Sequence, residues 1–142
     1  MKLVYKIGNR LQDRTGLSIS SKEFIKYFLD TAKANNSRLL YETDKNPSPL
    51  NRDNIDTLIL VSSKGDFGLI GRVVETGSNF ISKPNGYVSP DMFIKSKGFK
   101  RWFALDSIQE MPKGVLDENF VWRNGKSLLE CLKSNAYMFY ID

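Results

Sequence analysis

Thr57-Leu58-Ile59-Leu60-Val61, then Ser62-Ser63-Lys64-Gly65-Asp66-Phe67-Gly68, then Leu69-Ile70-Gly71-Arg72-Val73-Val74-Glu75 is the stretch that decides the fold. Leu58 to Val61 is apolar without interruption, the pattern of a central strand covered on both faces. The Gly-, Ser- and Asp-containing segment after it carries turn chemistry. A second apolar run follows at once, so the spacing predicts an antiparallel hairpin.

On the N-terminal side, Leu3-Val4-Tyr5-Lys6-Ile7 is a short strand with Leu3, Tyr5 and Ile7 on one face. Gly8 to Ser18 is polar and basic (Arg10, Arg14) and reads as an exposed connection. Ser20-x-x-Glu23 is a capping box. Behind it Phe24, Ile25, Phe28, Leu29 and Ala32 recur at helical spacing, with Lys22, Lys26 and Lys33 largely off that stripe. Asn35-Asn36 is the expected end of the helix. Phe24, Phe28 and Leu29 are expected to pack on the sheet that holds the hairpin. In Asp44-Lys45-Asn46-Pro47-Ser48-Pro49-Leu50-Asn51, each Pro keeps its predecessor extended, which predicts a stiff loop.

On the C-terminal side, Thr76 to Lys97 is rich in Gly, Pro, Asn and Ser, with Phe80, Tyr87 and Phe93 scattered through it. A long loop with one short strand or turn is expected there, and loops of that length in compact domains are usually functional. Lys100 to Ile108 reads as a strand, stopped by Met111-Pro112, and an extended bend leads from Gly114 to Arg123. Ser127-x-x-Glu130 opens a short second helix with Leu128, Leu129 and Leu132 inward. Ala136 to Ile141 closes the chain as an aromatic-rich strand whose Tyr137, Phe139 and Tyr140 should pack the sheet. With no repeat, linker or low-complexity tract, the expectation is one domain over residues 1–142. Its class is α+β: a curled mixed or antiparallel sheet, barrel-like, of about five to six strands with two flanking helices.

Composition narrows the function. The 142 residues are 41% hydrophobic and 26% charged, too apolar for a disordered chain. No apolar run approaches the ~20 residues of a membrane helix, and Met1 to Lys6 lacks the apolar stretch of a signal peptide. A single cysteine, Cys131, makes no internal disulfide and reads as a small buried residue. A soluble cytoplasmic protein without membrane contact is expected.

Histidine is absent. That removes Ser-His-Asp and Cys-His nucleophiles, His-pair acid–base catalysis and His-bearing zinc sites. Carboxylate chemistry survives, yet no Asp or Glu has Lys two positions on, the spacing that sets both on one strand face in many metal-dependent nucleases. Gly125-Lys126-Ser127 resembles the end of a phosphate loop, but Phe120 stands where the first Gly is required. Gly65 to Gly71 has the wrong spacing for a dinucleotide turn. The balance favours a binding protein over an enzyme, with no cofactor and no metal.

Pro47-x-Pro49, Asp56 to Ser63, and Leu69-Ile70-Gly71-Arg72-Val73-Val74 together resemble the front half of PUA-like domains, the branch that includes the EVE, YTH and ASCH families. Arg101-Trp102-Phe103-Ala104-Leu105 with Ile108 is similar to their aromatic-x-x-Leu-x-x-Ile strand. The similarity runs from about Pro47 to Ile108. It departs from the base-pocket families after the first strand, where they often carry Trp and this chain has Asn9-Arg10-Leu11.

The resemblance implies a nucleic-acid binder that holds RNA, or a modified base swung out of DNA, beside the curled sheet. Such a site needs an aromatic surface, polar groups for the base edge and a basic rim. Trp102 and Trp122 would supply stacking, and Ser62, Ser63 and Asn85 would read the edge. Lys95, Lys97, Lys100 and Arg101 form the densest basic cluster, in a chain of net charge +5. Each residue also has a plainer reading: Trp102 as core, Trp122 as an exposed aromatic, the basic cluster as a solvated rim. Two other classes stay open. One is a protein-binding or inhibitor module of bacterial or phage kind. The other is a carboxylate-metal hydrolase using Asp44, Asp53, Asp56 or Glu75.

Overall fold

The hairpin forms as the spacing predicts. In the computed structural model, which describes residues 1–9, 11–90 and 99–142, β5 (Thr57–Ser62) pairs antiparallel with β6 (Gly68–Ser78). Gly65 takes a left-handed φ of 74° in the turn between them, a conformation that costs glycine little. β6 runs on through Thr76, Gly77 and Ser78, residues expected in the following loop, because β7 (Arg101–Glu110) pairs along its whole length with two register shifts.

β1 (Lys2–Ile7) joins β5 in parallel, and β8 (Met138–Ile141) lies antiparallel on its other side. β4 (Leu39–Thr43) pairs antiparallel with β7. The result is a six-stranded mixed sheet in the order β4-β7-β6-β5-β1-β8. A small second ribbon pairs β2 (Leu11–Gln12) with β3 (Ser18–Ile19), inside the stretch expected to be a plain connection.

The sheet curls hard. β4 and β1 are four ladder steps apart, about 19 Å in a flat sheet, yet the rings of Tyr5 on β1 and Tyr41 on β4 have centroids 5.6 Å apart. The curl does not close into the expected barrel. A loop bridges the gap instead: the Tyr5 hydroxyl donates to the Lys45 carbonyl at 2.6 Å, and the Ser48 N–H donates to the Tyr140 hydroxyl at 3.0 Å. Both sheet edges are occupied locally, β4 by the Leu40 N–H donating to Val88 O and β8 by the Trp122 N–H donating to Tyr140 O. Such covering satisfies backbone groups that would otherwise template aggregation.

α1 (Ser21–Lys33) lies in the concavity. Its Ser20 cap accepts from the Glu23 N–H at 3.1 Å, and left-handed Asn36 and Ser37 turn the chain after its end. Ile25, Phe28, Leu29 and Ala32 bury against Leu3, Tyr5, Ile7, Leu58, Leu60, Phe103 and Leu105, with Phe24 half-buried at the margin. On the opposite face Val4, Ile59, Val61, Phe139 and Ile141 pack under Leu116 of α2 (Val115–Glu118) and Leu128 and Cys131 of α3 (Leu128–Cys131). The described residues thus hold three α-helices where two were expected. α2 forms inside the expected bend because left-handed Gly114 starts it and Leu116 gains burial. Leu129, expected inward, is exposed, since Leu128, Cys131 and Leu132 are the residues of that helical turn that face the sheet.

No described helix is long and apolar enough to cross a membrane.

Candidate nucleic-acid interface

Curling without closing leaves a cleft of ≈ 1440 Å³ between β1, β4 and the start of α1. Tyr41, Phe24 and Phe28 form an aromatic part of its lining. Lys6 and Gly8–Asn9 line the β1 side, Thr43 to Lys45 the β4 side, with Phe99 next to β7 and Tyr137 next to β8. Gln12, Ser18, Ser63 and Ser89 add neutral hydrogen-bonding groups.

Tyr137 is the organising ring. It is 41% exposed, and two ammonium groups lie close to it, Lys6 Nζ at 4.7 Å and Lys45 Nζ at 5.0 Å from its centroid. Contacts this near are attractive cation–π pairs. Gly8 lies beneath, where a Cβ would come within 3.6 Å of the ring. Lys6 is held in place because its ammonium donates to the carbonyls of Leu132 at 3.1 Å and Ser134 at 2.6 Å, just past α3. Desolvation lowers the Lys6 pKa from its ordinary value. Among the described residues, the acidic ones lining the cleft are Glu42 and Asp44. Glu42 is engaged by Lys83 at 3.0 Å and by the Ser89 hydroxyl at 3.3 Å.

Among the described residues of the sequence-derived set, Ser63 is the one that lines this cleft. Its hydroxyl donates to Asn9 Oδ1 at 3.0 Å, and its N–H donates to the Ser21 hydroxyl at 3.1 Å. Lys100 is exposed beside Phe99, and its N–H donates to the Thr43 carbonyl at 3.0 Å. Asn85 is exposed on the segment after β6, away from the cleft lining. Lys95 and Lys97, with Phe93 and Arg10, lie outside the described residues.

Four expectations need correction. Ser62 is buried, and its hydroxyl donates to Asp66 Oδ1 at 2.7 Å while accepting from the Phe67 N–H. It organises the hairpin turn, and that hydrogen bond is the main cause of a lowered Asp66 pKa. Arg101 is 5% exposed, with Nε donating to Asn46 Oδ1 at 2.6 Å and a second nitrogen donating to the Thr76 hydroxyl. It ties the Pro-containing loop to the sheet and offers no rim charge. Trp102 is 1% exposed on the sheet's outer face with Leu40 and Ala104, so its ring has no open face for a base. Tyr137, expected to pack the sheet, lies one residue before β8 and faces the cleft. Trp122 is 49% exposed as expected, but it sits by the C-terminus, its indole N–H donating to Asp142 at 2.8 Å, and it is not part of the cleft lining.

Lys6, Lys45, Asn9 and Tyr137 are the cleft residues that spacing does not reveal. Lys6 leaves one trace: it shares a strand face with buried Val4, an unusual place for a charge. Among the described residues no group of three or more Asp, Glu or Cys is placed to hold a metal ion. Asp56 of the suggested acidic set is taken up by the chain's own N-terminus at 3.1 Å and by the Thr57 hydroxyl.

Comparison with protein-family models, curated proteins and solved structures found no match.

Proposed function

We propose that this chain is a non-catalytic, PUA-like nucleic-acid-binding module that takes an unpaired base into the cleft between β1 and β4. The observation that carries the reading is the exposed Tyr137 ring with the Lys6 and Lys45 ammonium groups beside it. An aromatic ring with two cations over it brings apolar surface and positive charge together, as a base and its phosphate require. Asn9, Gln12 and Ser63 supply donors and acceptors for a base edge, and the net charge of +5 favours a polyanion. The ligand class is single-stranded RNA, or DNA with a modified or flipped base. The proposed setting is the cytoplasm, in keeping with the single cysteine.

Mobility or anisotropy titrations on single-stranded RNA, single-stranded DNA and base-modified duplex, each at several salt concentrations, test this. Lys45→Glu should weaken binding across sequences and flatten the single-strand salt slope by about 0.7 for each phosphate no longer neutralised. Tyr137→Ala should cost about 1–3 kcal/mol of binding. If no probe binds in a salt-dependent way, the reading fails and a protein-binding module takes its place.

A further inference from the structure

Beyond the cleft, one side chain stands out by exposure. Phe80 is 96% exposed, and Ile81 beside it is 54% exposed. An apolar ring so placed is ordinarily a cost, yet the turn beneath it is tightly built. The Ile81 N–H donates to Ser78 O at 3.0 Å, closing a four-residue turn with Phe80 at its third position. The buried Trp102 indole N–H then donates to two carbonyls of that same turn, Ser78 at 3.0 Å and Ile81 at 3.2 Å. Gly77, just before the turn, is packed so close to the indole that a Cβ would fall 2.5 Å from its Cζ2. Trp102 therefore holds the backbone that presents Phe80.

The turn is also connected to the cleft. Thr43 and Phe99 line the cleft. The Lys100 N–H donates to Thr43 O, and the Asn79 N–H donates to Lys100 O at 3.2 Å. Two strand spacings and one peptide step put the Phe80 Cα within about 14 Å of the Thr43 Cα. Lys100, exposed between them, supplies positive charge on the path.

We propose that Phe80 is a wedge that enters the stack of duplex DNA and fills the space of a base drawn into the cleft. This inference rests on the base-binding reading above and adds its substrate: a duplex, opened by the protein. Proteins that kink or open duplexes commonly insert one apolar side chain between base steps. Extruding a base costs a few kcal/mol of stacking and pairing, least at a mismatch. A backbone already fixed by a hydrogen-bonded turn gives up little further entropy when its side chain inserts. Among the described residues, Phe80 and Ile81 alone make a surface too small for the core of a protein interface, which spreads over many residues.

The test uses the full chain and a DNA duplex carrying one fluorescent purine analogue, which brightens when unstacked, at a central mismatch. The same labelled strand without its complement is the control. The wild-type protein is expected to bind both and to brighten the duplex probe. Phe80→Ala should bind the single strand within about twofold of wild type but lose about tenfold or more in duplex affinity, together with the brightening. Phe80→Trp should keep both. The wedge is overturned if Phe80→Ala binds and brightens the duplex as wild type does, which would assign Phe80 to a protein or lipid contact. It is overturned, with the base-binding reading intact, if the wild type binds the single strand and ignores the duplex. Binding of neither probe ends both.

Discussion

Gly77 and Trp102 are in register on neighbouring strands, and a Cβ on Gly77 would meet the indole at 2.5 Å from Cζ2 and 2.8 Å from Cε2. Contact this close to a fully buried ring leaves no room for relaxation by a flexible side chain. The missing Cβ lets the end of β6 lie against the indole, and the indole N–H then caps the turn beyond.

Two substitutions separate these roles. Trp102→Ala should cost about 3–5 kcal/mol of folding stability, because it leaves a large cavity and removes the indole donor from the Ile81 carbonyl, while Ser78 O keeps the Ile81 N–H. Gly77→Ala should be destabilising by about 1–3 kcal/mol through overpacking alone. Urea melts of the two variants check both values.

Trp122→Ala should behave differently. The ring is half-exposed, tilted beside Tyr140 at 6.5 Å, and its N–H reaches the exposed Asp142. Its loss should change stability by less than about 1 kcal/mol. A thermal melt that shifts as far as that of Trp102→Ala would show the two tryptophans to be equivalent in the core.

Lys6→Met should destabilise the fold although it removes a desolvated charge. Both carbonyls that accept from the ammonium, Leu132 and Ser134, would lose that donor, at a cost of about 1–3 kcal/mol for a buried polar group left unpaired. Equilibrium unfolding measures the change, and a more stable variant would show that desolvation of the ammonium outweighs its hydrogen bonds.

The pair Arg72–Asp106 links β6 and β7, with Nε to Oδ1 at 2.8 Å. Hydrogen bonding to Arg72, more than any other cause, lowers the Asp106 pKa below its ordinary 3.8. A lowered carboxyl pKa contributes stability that is fully present above the unfolded value and is lost as pH falls through the folded one. Arg72 is largely exposed, so solvent screening keeps the contribution at neutral pH small. An NMR titration should find the Asp106 midpoint below 3.8 in the wild type and moved up toward it in Arg72→Ala.

Local signals explain which elements are legible in the sequence. The hairpin, α1, the strand at Lys100–Ile108 and the Ser127 cap all carry their own periodicity or capping pattern, and all form. β4 and α2 have no such signal. Leu39-Leu40-Tyr41-Glu42-Thr43 is short and becomes a strand because β7 offers an edge, and Val115–Glu118 becomes helical because Leu116 has a sheet to cover. The site is less legible for the same reason. Ser63 is readable as a polar residue after a strand, whereas Tyr137 and Lys45 enter the cleft only when the loop after β4 and the segment before β8 come together.

The amino-acid order by itself determined the α+β class, the central hairpin, the capped helix against it, and the exclusion of histidine-dependent chemistry. Those follow from side-chain period, turn chemistry and composition, which are properties of neighbours in the chain. Tertiary structure alone decided that the sheet curls without closing, that Tyr5 meets Tyr41 across the gap and that Tyr137 faces the cleft. Each depends on residues far apart in sequence, and on which sheet face each covering segment occupies. The period of a strand shows that its faces differ; only the assembled neighbours determine which face is buried and which is left open to a ligand.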